Sequence, residues 1–126
     1  MSKLLVVDDE ANIRLLYAEE LKDEGYEVVT AASSAEASDK LQAGVFDLAV
    51  LDIKLKNESG IELLQKLVKE RHDMPVILCS AFSCYKDDFS AWLADGYVVK
   101  SGDLTELKQE IARVLAKKAQ KTKTGA

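Results

Sequence analysis

Phe46-Asp47-Leu48-Ala49-Val50-Leu51-Asp52 is the stretch that decides the fold of this chain. The residues from Leu48 to Leu51 are all apolar, and the run ends abruptly at an acid. An uninterrupted apolar run of this length is typical of a strand that is covered on both faces, as in a parallel sheet. Asp52 then falls at the carboxyl end of the strand, the edge where open α/β sheets bind ligands. Asp52 is therefore a candidate nucleophile.

Four further short runs, which are apolar or rich in β-branched residues, alternate with segments that have apolar residues at helical spacing. The runs are Lys3–Val7, Tyr26–Ala31, Val76–Cys79 and Tyr97–Val99. Strands that alternate with helices predict a parallel sheet with helices on both faces and right-handed crossovers. The five-stranded, flavodoxin-like order 2-1-3-4-5, flanked by five helices, fits a chain of 126 residues.

Local signals place the helices between these strands. In the first helix, the apolar face is predicted to comprise Ile13, Leu16, Tyr17 and Leu21, and Gly25 is a natural stop. Ser33 with Glu36, and Ser59 with Glu62, are capping-box pairs that open the second and third helices. The segment from Lys54 to Ser59 is predicted to be a polar loop. The fourth helix is predicted over Ser83–Ala94, and the last has its apolar face at Leu104, Leu107, Ile111, Val114 and Leu115.

Length and composition favour a single soluble domain. We assign residues 1–118 to that domain and the polar, Lys-rich residues 119–126 to a disordered tail. The net charge of −5 argues against direct nucleic acid binding by the domain. No apolar run reaches the roughly 18 residues that a membrane span needs. Cys79 and Cys84 suggest no disulfide framework, so we expect a cytoplasmic protein.

The predicted strand order brings together polar residues that follow four of the five strands. Strands 1 and 3 become neighbours, so Asp8 and Asp9 should meet Asp52 at the topological switch point. Three carboxylates repel one another unless they take up protons or a cation, and hard oxygen ligands favour Mg²⁺. Ser80 ends strand 4 with a hydroxyl donor, and Lys100 ends strand 5 with a positive charge suited to phosphate. These are the groups that phosphoryl transfer to a carboxylate requires.

The same residues carry a resemblance to a known family. With these residues at these separations, the sequence resembles the receiver domains of two-component response regulators, the flavodoxin-like family that includes the chemotaxis protein CheY. The resemblance runs from Lys3 to about Ala116. The matching stretches are Leu5–Glu10, Asp47–Asp52, Ser59-Gly60, Ser80-Ala81 and Tyr97–Lys100.

The resemblance implies that Asp52 accepts a phosphoryl group from a histidine kinase or a phosphotransfer protein. It implies that Asp8 and Asp9 hold Mg²⁺ together with Asp52, with Asp9 the more direct ligand. The backbone carbonyl of Lys54 would complete the protein ligands of the metal.

The remaining implied roles concern the phosphoryl group after transfer. Ser80 and Lys100 would bind its oxygens, and Tyr97 matches the switch aromatic that turns inward when the hydroxyl residue moves. Lys54 and Phe82 occupy the positions that border the path of the attacking water. Our hypothesis is that bulky Phe82 restricts that water and prolongs the phosphorylated state.

These implications describe a phosphorylation-controlled binding switch rather than an enzyme that acts on an external metabolite. Its partners would be the phosphoryl donor and an unidentified downstream protein, and a dimer formed on phosphorylation is left open. Two alternatives are a phosphorylation-independent receiver-like scaffold and a haloacid-dehalogenase-type phosphatase. The second is disfavoured because such enzymes place the nucleophile in an Asp-x-Asp motif after the first strand, where this chain has Asp8-Asp9-Glu10.

Three features depart from the pattern of the family. Ser101 follows Lys100, where a proline after a cis peptide is usual. A cis bond before a non-proline residue costs about 2.5–4 kcal/mol, so we predict a trans bond here. Lys56 replaces a usual proline, and the stretch from Ser80 to Lys100 is about two residues short, which predicts a shorter fourth helix or a trimmed loop.

Overall fold

The described part of the chain contains the five predicted strands and the helices that separate the first four of them. The computed structural model describes residues 2–52, 54–55, 58–70, 74–80, 94–99 and 104–124. In chain order, its elements are β1 (Lys3–Val7), α1 (Ala11–Asp23), β2 (Glu27–Ala31), α2 (Ser34–Ala43), β3 (Leu48–Asp52), β4 (Lys54–Leu55), β5 (Glu58–Ser59), α3 (Gly60–Glu70), β6 (Val76–Ser80), β7 (Gly96–Val99) and α4 (Thr105–Thr124). None of the helices in this described part combines the length and apolar character that a membrane span requires.

The main sheet has five parallel strands in the order β2-β1-β3-β6-β7. Because β6 and β7 are the fourth and fifth strands of this sheet, the predicted order 2-1-3-4-5 is confirmed. The register pairs Val7 with Leu51, and it pairs Asp52 with Cys79. The carboxyl ends of β1 and β3 therefore lie side by side at one edge.

Strand β3 is the centre of two hydrophobic cores, and all five of its residues are buried. Leu48 and Val50 contribute to the core that contains residues of α1 and α4. Ala49 and Leu51 contribute to the core that contains residues of α2 and α3. Since side chains alternate along a strand, Asp52 continues the row of Leu48 and Val50 on the α1 side of the sheet.

The helices bury the faces that their periodicity predicts, with one exception. Tyr17 and Leu21 of α1 are buried, and so is the predicted face of α4 from Leu107 to Val114. Leu16 was predicted in the buried face, but its side chain is 37% exposed, so that prediction is wrong. The buried stripe of α1 follows the i, i+4 row through Tyr17 and Leu21, and Leu16 lies beside that row.

Helix boundaries follow the predicted signals where side chains are described. The Ser33 hydroxyl accepts a hydrogen bond from the Glu36 backbone N–H at 3.2 Å, which confirms this N-cap. The Glu36 carboxylate accepts from the Ala32 N–H at 3.1 Å, one residue before the position expected for a capping box. Gly25 follows α1 with φ of 95°, a left-handed conformation that favours glycine. The Ser59 side chain lies outside the described set.

The structure differs from the sequence-based expectation in the segment after β3. The predicted polar loop contains a short antiparallel pair, in which Lys54 faces Ser59 and Leu55 faces Glu58. The loop prediction was wrong because two-residue strands are held by backbone hydrogen bonds and are too short to show hydrophobic periodicity.

The end of the chain also differs from expectation. Helix α4 continues through Thr124, so residues 119–124 are helical where a disordered tail was predicted. Their Ala, Lys and Gln residues have high helix propensity and extend a helix that is already nucleated by its buried first half. The predicted fourth helix, Ser83–Ala94, lies outside the described residues except for Ala94, as does the bond before Ser101. The described part of the chain therefore contains four of the five predicted helices.

A polar contact ties α4 to the start of β7. The Arg113 side chain donates to both oxygens of Glu110, at 2.6 and 3.0 Å, and to the Asp95 backbone carbonyl at 3.0 Å. Gly96 allows this close approach, because a Cβ at this position would lie 2.6 Å from Glu110 Oε2. The contact anchors the strand that carries Tyr97.

Candidate functional site

Three carboxylates meet at the carboxyl edge of the sheet. Asp8 and Asp9 follow β1 directly, and Asp52 is the last residue of β3. One carboxylate oxygen from each residue lies within 4.8 Å of the others. The cluster follows from the register, since the pairing of Val7 with Leu51 places the next residues of the two strands side by side.

Two of the three carboxylates are buried, which makes their proximity energetically significant. The exposed fraction is 2% for Asp8 and 6% for Asp52, while Asp9 is half-buried. Two ionised groups this close repel by about 3–4 kcal/mol at an effective dielectric constant of about 20. A cation would convert this repulsion into attraction, and three hard oxygen ligands around a small volume fit Mg²⁺.

Asp8 is held in place at three of its atoms. Its backbone N–H donates to the Ala31 carbonyl at 3.1 Å, which extends the pairing of β1 with β2. Its Oδ1 accepts from the Glu10 N–H at 2.9 Å, and its carbonyl oxygen accepts from Arg14 Nη1 at 2.7 Å. Ligands that are oriented by such surrounding hydrogen bonds bind metals more tightly. The site is thus preorganised on the β1 side.

Cys79 and Tyr17 form the buried surroundings of the cluster on the α1 side of the sheet. Cys79 pairs in register with Asp52, and its side chain is buried. Tyr17 of α1 belongs to the same core and is 3% exposed. Burial raises the pKa of the Tyr17 phenol, and electrostatic interactions with Cys79, Asp8 and Asp52 raise it further. The phenol therefore stays neutral beside the carboxylates.

Tyr17 should make the stability of the protein sensitive to alkaline pH. Because its pKa is raised in the folded state, the unfolded chain ionises first, and the stability due to this group is complete below pH 10.0 and lost above it. Between pH 8 and pH 11, we expect Tyr17→Phe to lose about 1 kcal/mol less unfolding free energy than the parent protein. Urea denaturation at the two pH values measures this difference.

Tyr26→Phe is the matched control for the alkaline experiment. Burial also raises the pKa of Tyr26, but this side chain is only half-buried. Its substitution should therefore change the pH dependence less than Tyr17→Phe does. Equal losses of stability in the parent protein and in Tyr17→Phe would contradict the assignment of a neutral buried phenol at Tyr17.

The other predicted site residues are described only in part. Ser80 is the last residue of β6, and its backbone pairs with Val99, the last residue of β7. The half-buried Tyr97 packs against the core on the α2 and α3 side. Lys54 begins β4, just after β3. The side chains of Ser80 and Lys54, and the whole of Lys100 and Phe82, lie outside the described residues.

Two contacts of the site were missed from the sequence. Arg14 received no role, and Tyr17 was assigned only to the hydrophobic face of the first helix. A signal was available for Tyr17, because a hydroxyl at a core position needs polar surroundings. No signal in the sequence pointed to Arg14, because its contact with Asp8 spans six residues across the start of a helix.

Comparison with known proteins places this arrangement in a family. A family model described as the response regulator receiver domain matches residues 4–112. The response regulator ArlR of Staphylococcus aureus is 32% identical over 123 residues, which cover 96% of this chain and 56% of ArlR. The chain thus spans about half the length of the curated relatives that it matches.

Solved structures with the same fold include a close match. The response regulator TrrA from Thermotoga maritima, crystallised in complex with Mg²⁺-BeF, is 46% identical, with a TM-score of 0.87 over 90% of this chain and 99% of TrrA. A second structure contains TrrA in complex with the histidine kinase ThkA; it also gives 46% identity, with a TM-score of 0.85 and coverage of 91% and 99%. The family match, these relatives and the order of the sheet agree, and the chain therefore belongs to the response regulator receiver domain family.

Proposed function

We propose that this chain is a phosphoacceptor receiver domain in which Asp52 takes a phosphoryl group with the help of Mg²⁺. The observation that carries the proposal is the convergence of Asp8, Asp9 and Asp52, with Asp52 buried at the end of the central strand. A carboxylate at this place can act as a nucleophile, and its neighbours can bind the cation that phosphoryl transfer uses. The structure of TrrA with Mg²⁺-BeF supports the choice of metal.

In the proposed step, a carboxylate oxygen of Asp52 attacks the phosphorus of a phosphohistidine on the donor protein. The new bond joins oxygen to phosphorus, and the bond between phosphorus and the imidazole nitrogen breaks. Asp8, Asp9, Asp52 and the Lys54 carbonyl would hold Mg²⁺, whose charge would neutralise that of the phosphoryl oxygens. Histidine kinases and phosphotransfer proteins carry such phosphohistidines, and the complex of TrrA with ThkA supports a kinase as the donor.

Ser80, Lys100 and Tyr97 would convert phosphorylation into a conformational change. Each hydrogen bond to a charged group contributes roughly 1.5–3 kcal/mol, so the two from Ser80 and Lys100 would supply about 3–6 kcal/mol. A shift of a two-state equilibrium from 1:99 to 99:1 needs about 5.5 kcal/mol. The site can therefore redistribute the inward and outward states of Tyr97 strongly and so change which downstream protein binds.

The remaining assignments belong to the same proposal. Residues 1–118 form the receiver domain, and Lys54 and Phe82 set the lifetime of the phosphoryl group. The domain assists its own phosphorylation and dephosphorylation and acts as a switch, not as an enzyme for an external substrate. We assign it to the cytoplasm, where a histidine kinase would act on it, and we propose no direct contact with nucleic acid or membranes.

Intact mass spectrometry after incubation with acetyl phosphate tests this proposal. We expect a single adduct of about 80 Da in the presence of Mg²⁺ and none when EDTA is added, because the transfer needs the cation. A protein that gains no mass and binds neither Mg²⁺ nor beryllofluoride would support the scaffold alternative instead. Repeated turnover of a phosphate ester without a protein adduct would support the phosphatase alternative.

A further inference from the structure

Arg14 reaches back from the first turns of α1 to the segment that carries the acids. Its Nη1 donates a hydrogen bond of 2.7 Å to the backbone carbonyl of Asp8, six residues earlier in the chain. The side chain is half-buried, and the backbone N–H of Arg14 makes the first hydrogen bond of the helix, to the Glu10 carbonyl at 3.1 Å. Arg14 therefore links the start of α1 to the residue that begins the acid segment.

The contact is unusual for its charge and its location. A positive side chain near the N-terminus of a helix is opposed by the helix dipole. The first turn of α1 has no acidic residue, and its N-cap residue Glu10 makes no side-chain capping bond. The bond to Asp8 also pairs a charged donor with a neutral carbonyl, so it supplies a charge-assisted hydrogen bond without cancelling the positive charge of Arg14.

We infer that Arg14 is a positioning residue for the cation site. Its bond fixes the carbonyl of Asp8, while the bond from Glu10 N–H fixes the Asp8 carboxylate and the bond to Ala31 fixes the Asp8 N–H. With these three atoms held, the direction of the backbone from Asp8 to Asp9 is fixed. The carboxylates of Asp8 and Asp9 then both converge on Asp52. This inference rests on the proposed Mg²⁺ site.

Two effects of Arg14 on a bound cation have opposite signs. Its positive charge repels the cation, whereas its hydrogen bond holds the ligands in the geometry that binds the cation. The second effect is the larger one, because Arg14 touches the main chain of a ligand residue and not the ligand oxygens themselves. Substitutions that separate charge from hydrogen bonding therefore distinguish the two effects.

The test measures Mn²⁺ binding, with free Mn²⁺ followed by electron paramagnetic resonance as a probe for the Mg²⁺ site. Arg14→Gln removes the positive charge and shortens the side chain, so that it no longer reaches the Asp8 carbonyl. We expect it to weaken Mn²⁺ binding by about 10-fold, as for other residues that orient metal ligands. Arg14→Lys keeps the charge and a single donor, and it should recover part of the loss. The matched control is Lys22→Gln, an equal change of charge at an exposed position at the far end of the same helix.

A second readout follows the segment without any metal. In Arg14→Gln, we expect the Glu10 amide to exchange its hydrogen several-fold faster, because its acceptor Asp8 is held less firmly. Mn²⁺ binding by Arg14→Gln that equals or exceeds that of the parent protein would overturn the inference and leave the proposed function intact. A parent protein that binds no Mn²⁺ would overturn both the inference and the proposed metal site.

Discussion

Asp52→Asn should gain no mass after incubation with acetyl phosphate and Mg²⁺, whereas the parent protein should gain about 80 Da. The substitution replaces the carboxylate that we propose as the nucleophile by an amide of nearly the same size. Asp52 is buried at the end of the central strand, where its side chain extends the row of Leu48 and Val50 into the acid cluster.

The fold of Asp52→Asn should be preserved, because the amide fits the same volume and relieves the repulsion with Asp8 and Asp9. Urea denaturation without metal should show a protein at least as stable as the parent. The matched control is Asp39→Asn on the exposed surface of α2, which makes the same change of charge and should be phosphorylated normally. An adduct of equal size and yield on Asp52→Asn would place the acceptor elsewhere.

Asp8→Asn should lower the rate of phosphorylation of Asp52 by about 100-fold, since a catalytic cation supplies several kcal/mol of charge stabilisation. The structure explains why this substitution should weaken cation binding without disturbing the fold. Asp8 Oδ1 accepts a hydrogen bond from the Glu10 N–H, and the carbonyl oxygen of an asparagine side chain can accept the same bond. The amide nitrogen of the asparagine then takes the place of the other carboxylate oxygen. A hydrogen-bond donor therefore stands where the aspartate would offer an oxygen to the cation.

Initial rates of adduct formation at saturating acetyl phosphate, measured over a range of Mg²⁺ concentrations, test this expectation. Asp8→Asn should need far more Mg²⁺ than the parent protein, while its urea denaturation midpoint without metal stays within the range of the parent or above it. Asp39→Asn is again the control for charge. An unchanged Mg²⁺ requirement would remove Asp8 from the set of metal ligands.

The central strand could be predicted because its environment is uniform. Every residue from Leu48 to Leu51 is apolar, and the structure covers the strand on both faces, so the sequence pattern and the packing carry the same information. The position of Asp52 followed from the end of that run. The strand order then placed Asp8 and Asp9 beside it, because parallel strands bring their carboxyl ends to one edge.

The sequence-based prediction failed where a strand was very short and where the rotation of a helix about its axis decided which residues are buried. The pair formed by β4 and β5 has two residues in each strand and no apolar alternation to reveal it. Leu16 has the right residue type and the right spacing for a buried face, but α1 buries the row through Tyr17 and Leu21 instead. Neither the backbone pairing nor the helix rotation is encoded in a local pattern.

By itself, the sequence determined the five strands, their parallel order, the acids that follow β1 and β3, and the family to which the chain belongs. Hydrophobic periodicity and the chemistry of strand ends are local properties, and they suffice for these conclusions. Only the tertiary structure decided that Arg14 turns back to the carbonyl of Asp8 and that the Tyr17 phenol shares a core with Cys79 beside Asp52. Such contacts depend on side-chain rotamers and on the angle at which a helix meets the sheet, and both are set by packing among residues that are distant in the sequence.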